Sequence, residues 1–204
     1  MKKLYILIAA VTLTACGTQK ASTDKTATTT PTTMEDKINA ANQIDGTLDI
    51  GASYAKDASG NLTGIVQKDA FMQAPYNSWF NSSMATYEAD QETIDALKLA
   101  LVDVEIRAYM GTWCGDSKRE TPQFYNILEA AYFDMDQLTM ITVDRSKKKP
   151  VKLVSDYNIQ RVPTFIFYRN GAEIGRYVER PRESLEKDML KIVTGQEYKH
   201  SYDN

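Results

Sequence analysis

Cysteine and histidine are almost missing from this sequence: two cysteines, Cys16 and Cys114, and one histidine, His200, in 204 residues. So few ligands leave no Cys/His spacing of the kind that holds a metal, and no metal site is expected. A Cys-x-x-Cys pair is missing too. Cys114-Gly115-Asp116-Ser117 has serine, not cysteine, three residues after Cys114. There is no surplus of basic residues. Lys and Arg number 24 against 27 Asp and Glu, a net charge of −3, which argues against nucleic acid as a main partner. There is no internal repeat. The N-terminal apolar run, Leu4 to Ala15, is too short to cross a bilayer as a mature helix. What is present suits a folded domain: 43% hydrophobic and 25% charged residues fit one globular unit with additions.

Residues 1–15 read as a targeting segment, a positive Met1-Lys2-Lys3 followed by the apolar run. Leu13-Thr14-Ala15-Cys16 resembles the bacterial lipoprotein cleavage box. That resemblance implies that Cys16 becomes the lipidated first residue, with enough acyl chains for stable anchoring. The alternative is an ordinary secretory signal with a chance cysteine. Residues 16–35 form a Thr/Ser/Lys-rich tether that cannot bury enough surface to order itself. No acidic residue follows Cys16 closely, which favours the periplasmic side of a bacterial membrane.

Residues 36–90 are expected to form an extension packing on the core. Glu35 to Ile44 suggests a short helix, and Asp57-Ala-Ser-Gly-Asn61 a turn. Leu62 to Tyr87 is rich in aromatics, including Phe71, Tyr76, Trp79, Phe80 and Tyr87, and reads as helical turns broken at Pro75. These side chains serve either as a cap on the core or as an aromatic surface for a partner. Gln91 to Leu101 is amphipathic, with Ile94, Leu97 and Leu101 on one face and Asp90 as N-cap.

The stretch that organises the chain is Gly111-Thr112-Trp113-Cys114-Gly115-Asp116-Ser117. Before it, Val102, Val104, Ile106, Ala108 and Met110 alternate with mostly polar residues, a strand pattern. After it, Lys118 to Ala131 reads as a helix. Cys114 therefore sits at a strand-to-helix junction, where free amides and the helix dipole favour a thiolate. Its bland alternative is a small buried apolar residue. Asp116 opposes thiolate formation if it faces the sulfur, whereas Lys118 and Arg119 favour it. Ser117 can donate its hydroxyl to the sulfur. Leu138 to Val143 is the next strand. The basic run Ser146 to Lys149 reads as a solvated loop. Val151 to Tyr157 is a short helix, Pro181 to Thr194 the last helix, and 196–204 a polar tail expected to fray.

Trp113-Cys114 at such a turn, with Pro122 eight residues on, resembles the thioredoxin-like family. Val162-Pro163-Thr164 before the apolar strand Phe165 to Tyr168 is similar to that family's cis-proline loop, and Asn170-Gly171 turns into a strand over Glu173 to Val178. The resemblance covers residues 91–195. It implies an α/β thioredoxin-like fold, a mixed central sheet flanked by helices, here with an N-terminal helical extension. It also implies a nucleophile at Cys114, with Trp113, Ser117 and Pro163 completing the catalytic site and Val162, Gly115 and Asp116 touching substrate. Two departures stand out. Ser117 replaces the resolving cysteine, and Ala108 replaces the family's buried acid.

The expected function is thiol–disulfide exchange by a membrane-anchored protein through one cysteine, acting on envelope proteins that carry disulfides or thiols, with no cofactor. Two other readings compete: a non-catalytic binding module that keeps the groove, and iron–sulfur or glutathione binding, since Cys-Gly-Asp-Ser resembles the Cys-Gly-Phe-Ser of monothiol glutaredoxins.

Overall fold

The computed structural model describes residues 54–203. The expected leader, the lipidation site Cys16, the tether and the 35–44 helix lie outside the described residues. Six strands form one sheet in the order β1-β2-β4-β3-β5-β6. These are β1 (Tyr54–Lys56), β2 (Leu62–Val66), β3 (Val104–Met110), β4 (Leu138–Thr142), β5 (Thr164–Arg169) and β6 (Ala172–Val178). β3 and β4 run parallel, with Ala108 beside Met140, and every other pairing is antiparallel. The helices are α1 (Lys68–Phe71), α2 (Asn77–Ala85), α3 (Gln91–Ala100), α4 (Gly115–Ala130), α5 (Val151–Val154) and α6 (Leu185–Val193).

The period-two pattern of β3 explains its central place. Val104, Ile106, Ala108 and Met110 enter one core, with Ile94 and Leu97 of α3, Phe124 and Leu128 of α4, and Met189 and Ile192 of α6. Tyr109 points to the other face, among Ile141, Ile166 and the α5 residues Leu153 and Val154. Helices thus cover both faces, as a buried mixed sheet requires. Phe124, Phe165 and Tyr177 stack in series, with centroids 4.0 and 5.3 Å apart.

The boundaries follow local chemistry. Asp90 caps α3, its carboxylate accepting the Thr93 amide at 3.0 Å. Asn170 and Gly171 both take positive φ, 53° and 76°, as a two-residue hairpin turn demands. β3 starts two residues later than the alternation suggests. Asp103 takes φ 62°, the chain turns, and Val102 is left 59% exposed.

Between residues 54 and 90 helical turns stand on either side of Pro75 as expected, α1 and α2, but Leu62–Val66, expected to be helical, is strand β2. Phe71 and Phe80 are fully buried in the main core, and Trp79, Met84 and Tyr87 pack against it, so these aromatics serve as the cap. The same region does more than pack: β1 and β2 add a hairpin to the sheet, with β2 paired to β4. The tail is not frayed. Tyr198 donates its hydroxyl to the buried Asp188 at 3.2 Å, and Ser201 donates to the Arg180 carbonyl at 2.7 Å. The last helix begins at Leu185 rather than Pro181 because the Asp188 carboxylate collects the amides of Arg182 and Glu183, at 2.7 and 3.3 Å, into a preceding turn.

Candidate functional site

Cys114 is the N-cap of α4, with extended backbone at φ −94°, ψ 128°. The helix starts at Gly115, three residues earlier than the sequence pattern suggests, which places the sulfur against the first turn. The Sγ donates to the Val162 carbonyl at 3.4 Å. Val162–Pro163 is a cis peptide, and Val162 itself is buried. The structure therefore brings together Cys114, Val162 and Pro163 from residues almost fifty apart. Cys114 is a half-buried free thiol. This is not the full burial that a purely structural cysteine favours.

Trp113 is fixed from two sides. Its Nε1 donates to the Val143 carbonyl at 2.8 Å, at the end of β4. Its ring lies where a side chain on Gly111 would be: a Cβ there would come within 2.5 Å of Trp113 Cε2. Glycine at 111 is thus a steric requirement of the indole. The cations Arg145 and Lys147 sit over the same ring, 5.4 and 6.0 Å from its centroid. Sequence reasoning gave this loop a solvated role and missed the contact. The loop is built on Asp144, which accepts the amides of Lys148 and Lys149 at 3.0 and 3.1 Å and the Ser146 hydroxyl at 2.7 Å. Burial pushes the Asp144 carboxyl up, but these hydrogen bonds outweigh it and hold it below the usual range.

Ser117 is fully buried, and its Oγ accepts the Gly111 amide at 3.1 Å. Its recorded bond therefore runs back to the loop after β3 and not to the Cys114 sulfur. Asp116 is answered by a cation. Arg119 Nη2 bonds its carboxylate at 2.8 Å, and Arg119 Nε bonds Glu120 at 2.8 Å. The opposition between Asp116 and Arg119 is thus settled by pairing them. Gly115 is exposed at the helix start.

Two further residues were not legible as part of the site. Thr112, buried, accepts the Leu62 amide at 3.0 Å and ties the turn to β2. Glu120, only 3% exposed, lies under the same helix; burial pushes its carboxyl up, against the pull of Arg119 and of the neighbouring Tyr177 hydroxyl. Beyond the cis-proline loop, Glu179 donates its amide to the Pro163 carbonyl at 2.7 Å. Its carboxylate meets Arg161 at 3.2 Å and accepts the Tyr202 hydroxyl, while Arg161 stacks over the Tyr202 ring at 3.8 Å. The tail therefore reaches the edge of the groove.

A sheet of this order, a lone cysteine capping the helix after its central strand, and a cis-proline loop against the sulfur define a thioredoxin-fold protein. The thioredoxin family model matches residues 84–191, more than half of the chain, and the chain belongs to that family. It is 37% identical over 82 residues to a putative thioredoxin-5 of Dictyostelium discoideum, spanning 40% of this chain and 74% of that one. It is 30% identical over 105 residues to a thioredoxin of Homo sapiens, spanning 52% of this chain and 91% of that one.

Proposed function

We propose that this protein carries out thiol–disulfide exchange through a single cysteine, Cys114, on envelope proteins that contain disulfides, while held to a membrane by lipid on Cys16. One observation carries the reading: Cys114 Sγ stands at a helix N-terminus, 3.4 Å from the carbonyl of the cis-proline loop. The helix amides and dipole favour the thiolate. The backbone at Val162 offers an edge on which an extended substrate segment lies beside the sulfur. The lipobox-like Leu13 to Cys16 supports the anchor.

In the proposed step the Cys114 thiolate attacks one sulfur of a substrate disulfide. A new S–S bond joins protein and substrate, the old one breaks, and the departing sulfur leaves with the electron pair and takes up a proton. Ser117 cannot attack the mixed disulfide. Release then falls to a different thiol of the substrate, which forms a new disulfide with the held sulfur and makes the event an isomerisation, or to an external thiol, which makes it a reduction.

The test is to alkylate whole envelopes rapidly and examine the native chain on non-reducing gels. Mixed disulfides that vanish with reductant and with Cys114→Ser are expected. Absence of any such species, with a Cys114 that stays unreactive towards a neutral disulfide, would replace this reading with that of a binding module.

A further inference from the structure

The surroundings of Cys114 differ in charge from the chain as a whole. The chain carries −3, yet three cations, Arg145, Lys147 and Lys118, flank the Trp113–Cys114 turn with no ion-pair partner among the described residues. Arg145 and Lys147 lie over Trp113, the residue before the nucleophile. Lys118 stands in the first turn of α4, its amide bonded to the Cys114 carbonyl at 3.0 Å. Among the described residues none of these three has a carboxylate within ion-pair distance.

Two acids of the same rim are paired with arginines, and two keep their charge but are tied into turns. Asp116 is bonded to Arg119, Asp144 is closed inside its own turn, and Glu179 is shared by Arg161, Arg180 and Tyr202. Asp57, in the β1–β2 turn, lies within electrostatic reach of Arg145, but its carboxylate is taken up by Asn61 and Ser59. The cations are also held in place. Stacking on a half-buried indole fixes Arg145 and Lys147 at lower entropic cost than free side chains would bear, and the indole is itself anchored to Val143.

Resting on the exchange reading above, we infer that the Cys114 groove selects its partner by charge: it takes extended polypeptide segments whose disulfide sulfur is flanked by Asp or Glu. The peptide backbone lies along Val162, its sulfur meets Cys114, and flanking carboxylates meet Arg145, Lys147 and Lys118. Opposed charge at an encounter surface acts mainly on the association step and weakens with salt. The preference therefore appears in the second-order rate of mixed-disulfide formation.

The experiment uses the full chain in non-ionic detergent, with Cys114→Ser as the blank that subtracts any reaction at Cys16. The probes are three peptides of one sequence, each holding one cysteine as its 2-thiopyridyl disulfide, flanked by two Glu, two Gln or two Lys. Attack joins Cys114 to the peptide sulfur and expels 2-thiopyridone, which carries away the electron pair and a proton and is read by its absorbance. At low salt the Glu peptide should react about tenfold faster than the Lys peptide, and the ratio should shrink towards one as salt rises. In Arg145→Glu/Lys147→Glu the ratio should invert. Because it is taken within one protein, a general loss of reactivity does not mimic this result. A ratio near one in the native chain, or an unchanged ratio in the double variant, overturns the proposal while leaving exchange intact. No reaction with the Gln peptide overturns the exchange reading, and this proposal with it.

Discussion

The Thr112 hydroxyl accepts the backbone amide of Leu62 at 3.0 Å, across fifty residues of chain, with both residues buried. The turn that carries Cys114 is thereby fastened to a strand outside the 84–191 stretch matched by the thioredoxin family. Removing that acceptor leaves a buried amide unpaired, at a cost of about 1–3 kcal/mol. Thr112→Val is expected to lower the urea midpoint accordingly, whereas Thr112→Ser should hold close to the native value. Removal of residues 54–66 should be far more damaging. It uncovers the edge of β4 and takes Leu62, Ile65 and Val66 out of the cores, so the remainder should lose its cooperative unfolding transition.

Gly111→Ala tests the seat of the tryptophan. A methyl within 2.5 Å of Trp113 Cε2 forces the ring off its place, because the backbone on either side of it is held by β3 and α4. The Nε1 bond to Val143 should be lost and the two cations released. Expected are a shift in tryptophan fluorescence, a destabilisation of about 1–3 kcal/mol from overpacking, and slower alkylation of Cys114.

Ser117→Cys restores a dithiol. The position is fully buried, three residues beyond Cys114 on the same helix, where i and i+3 side chains are neighbours. Oxidation of the variant should yield an intramolecular bridge and measurable insulin reduction under a dithiol supply. The native chain should give only mixed disulfides or a linked dimer. The readouts are free-thiol counts and non-reducing gels.

Glu120 predicts the sign of one pH dependence. Its carboxyl is pushed up by burial, so the folded state holds the proton more tightly than the unfolded chain. The stability this contributes is complete below the unfolded pKa of about 4.3 and is lost as pH rises through the higher folded value. Glu120→Gln keeps the shape without the charge. The variant should gain stability relative to the native chain as pH increases from 4 towards 7. Thermal midpoints taken across that range check both the sign and the flattening.

The anchor is tested by mass spectrometry. Purified native protein should carry acyl groups on Cys16 and partition with detergent, and Cys16→Ala should leave the chain unprocessed or soluble. An unmodified Cys16 would remove the membrane from the proposal.

Much of this architecture was legible because it rests on local pattern. β3 and β5 announce themselves by alternation and by apolar runs, α3 by its period and the Asp90 cap, and the hairpin by Asn170-Gly171. β2 was not legible. Leu-Thr-Gly-Ile-Val is five residues long, buried on both faces, and has glycine at its centre, so no alternation survives to mark it. The onset of α4 was misplaced because Gly115 and Asp116 favour turns, yet a cap at Cys114 starts the helix there. The cysteine, tryptophan and proline of the site could be named from spacing. The partners that fix them could not: Val143 for Trp113, Leu62 for Thr112 and Arg119 for Asp116 depend on tertiary approach or on rotamer choice.

The docking of the tail has a practical consequence for handling the protein. Tyr202 rests on Arg161, and its hydroxyl shares Glu179 with that arginine, whose loop carries the carbonyl facing Cys114. An affinity tag fused behind Asn204 would be separated from Tyr202 of this stack by two residues, and a histidine run there would bring its own charge and metal affinity to the mouth of the groove. The N-terminus offers no easy substitute if Cys16 must be acylated. A tag placed instead in the loop at Tyr132, 84% exposed and at the far end of the sheet from the cysteine, would leave both ends of the chain as they are. Reactivity measured on C-terminally tagged protein would describe a different entrance from the one the native chain presents.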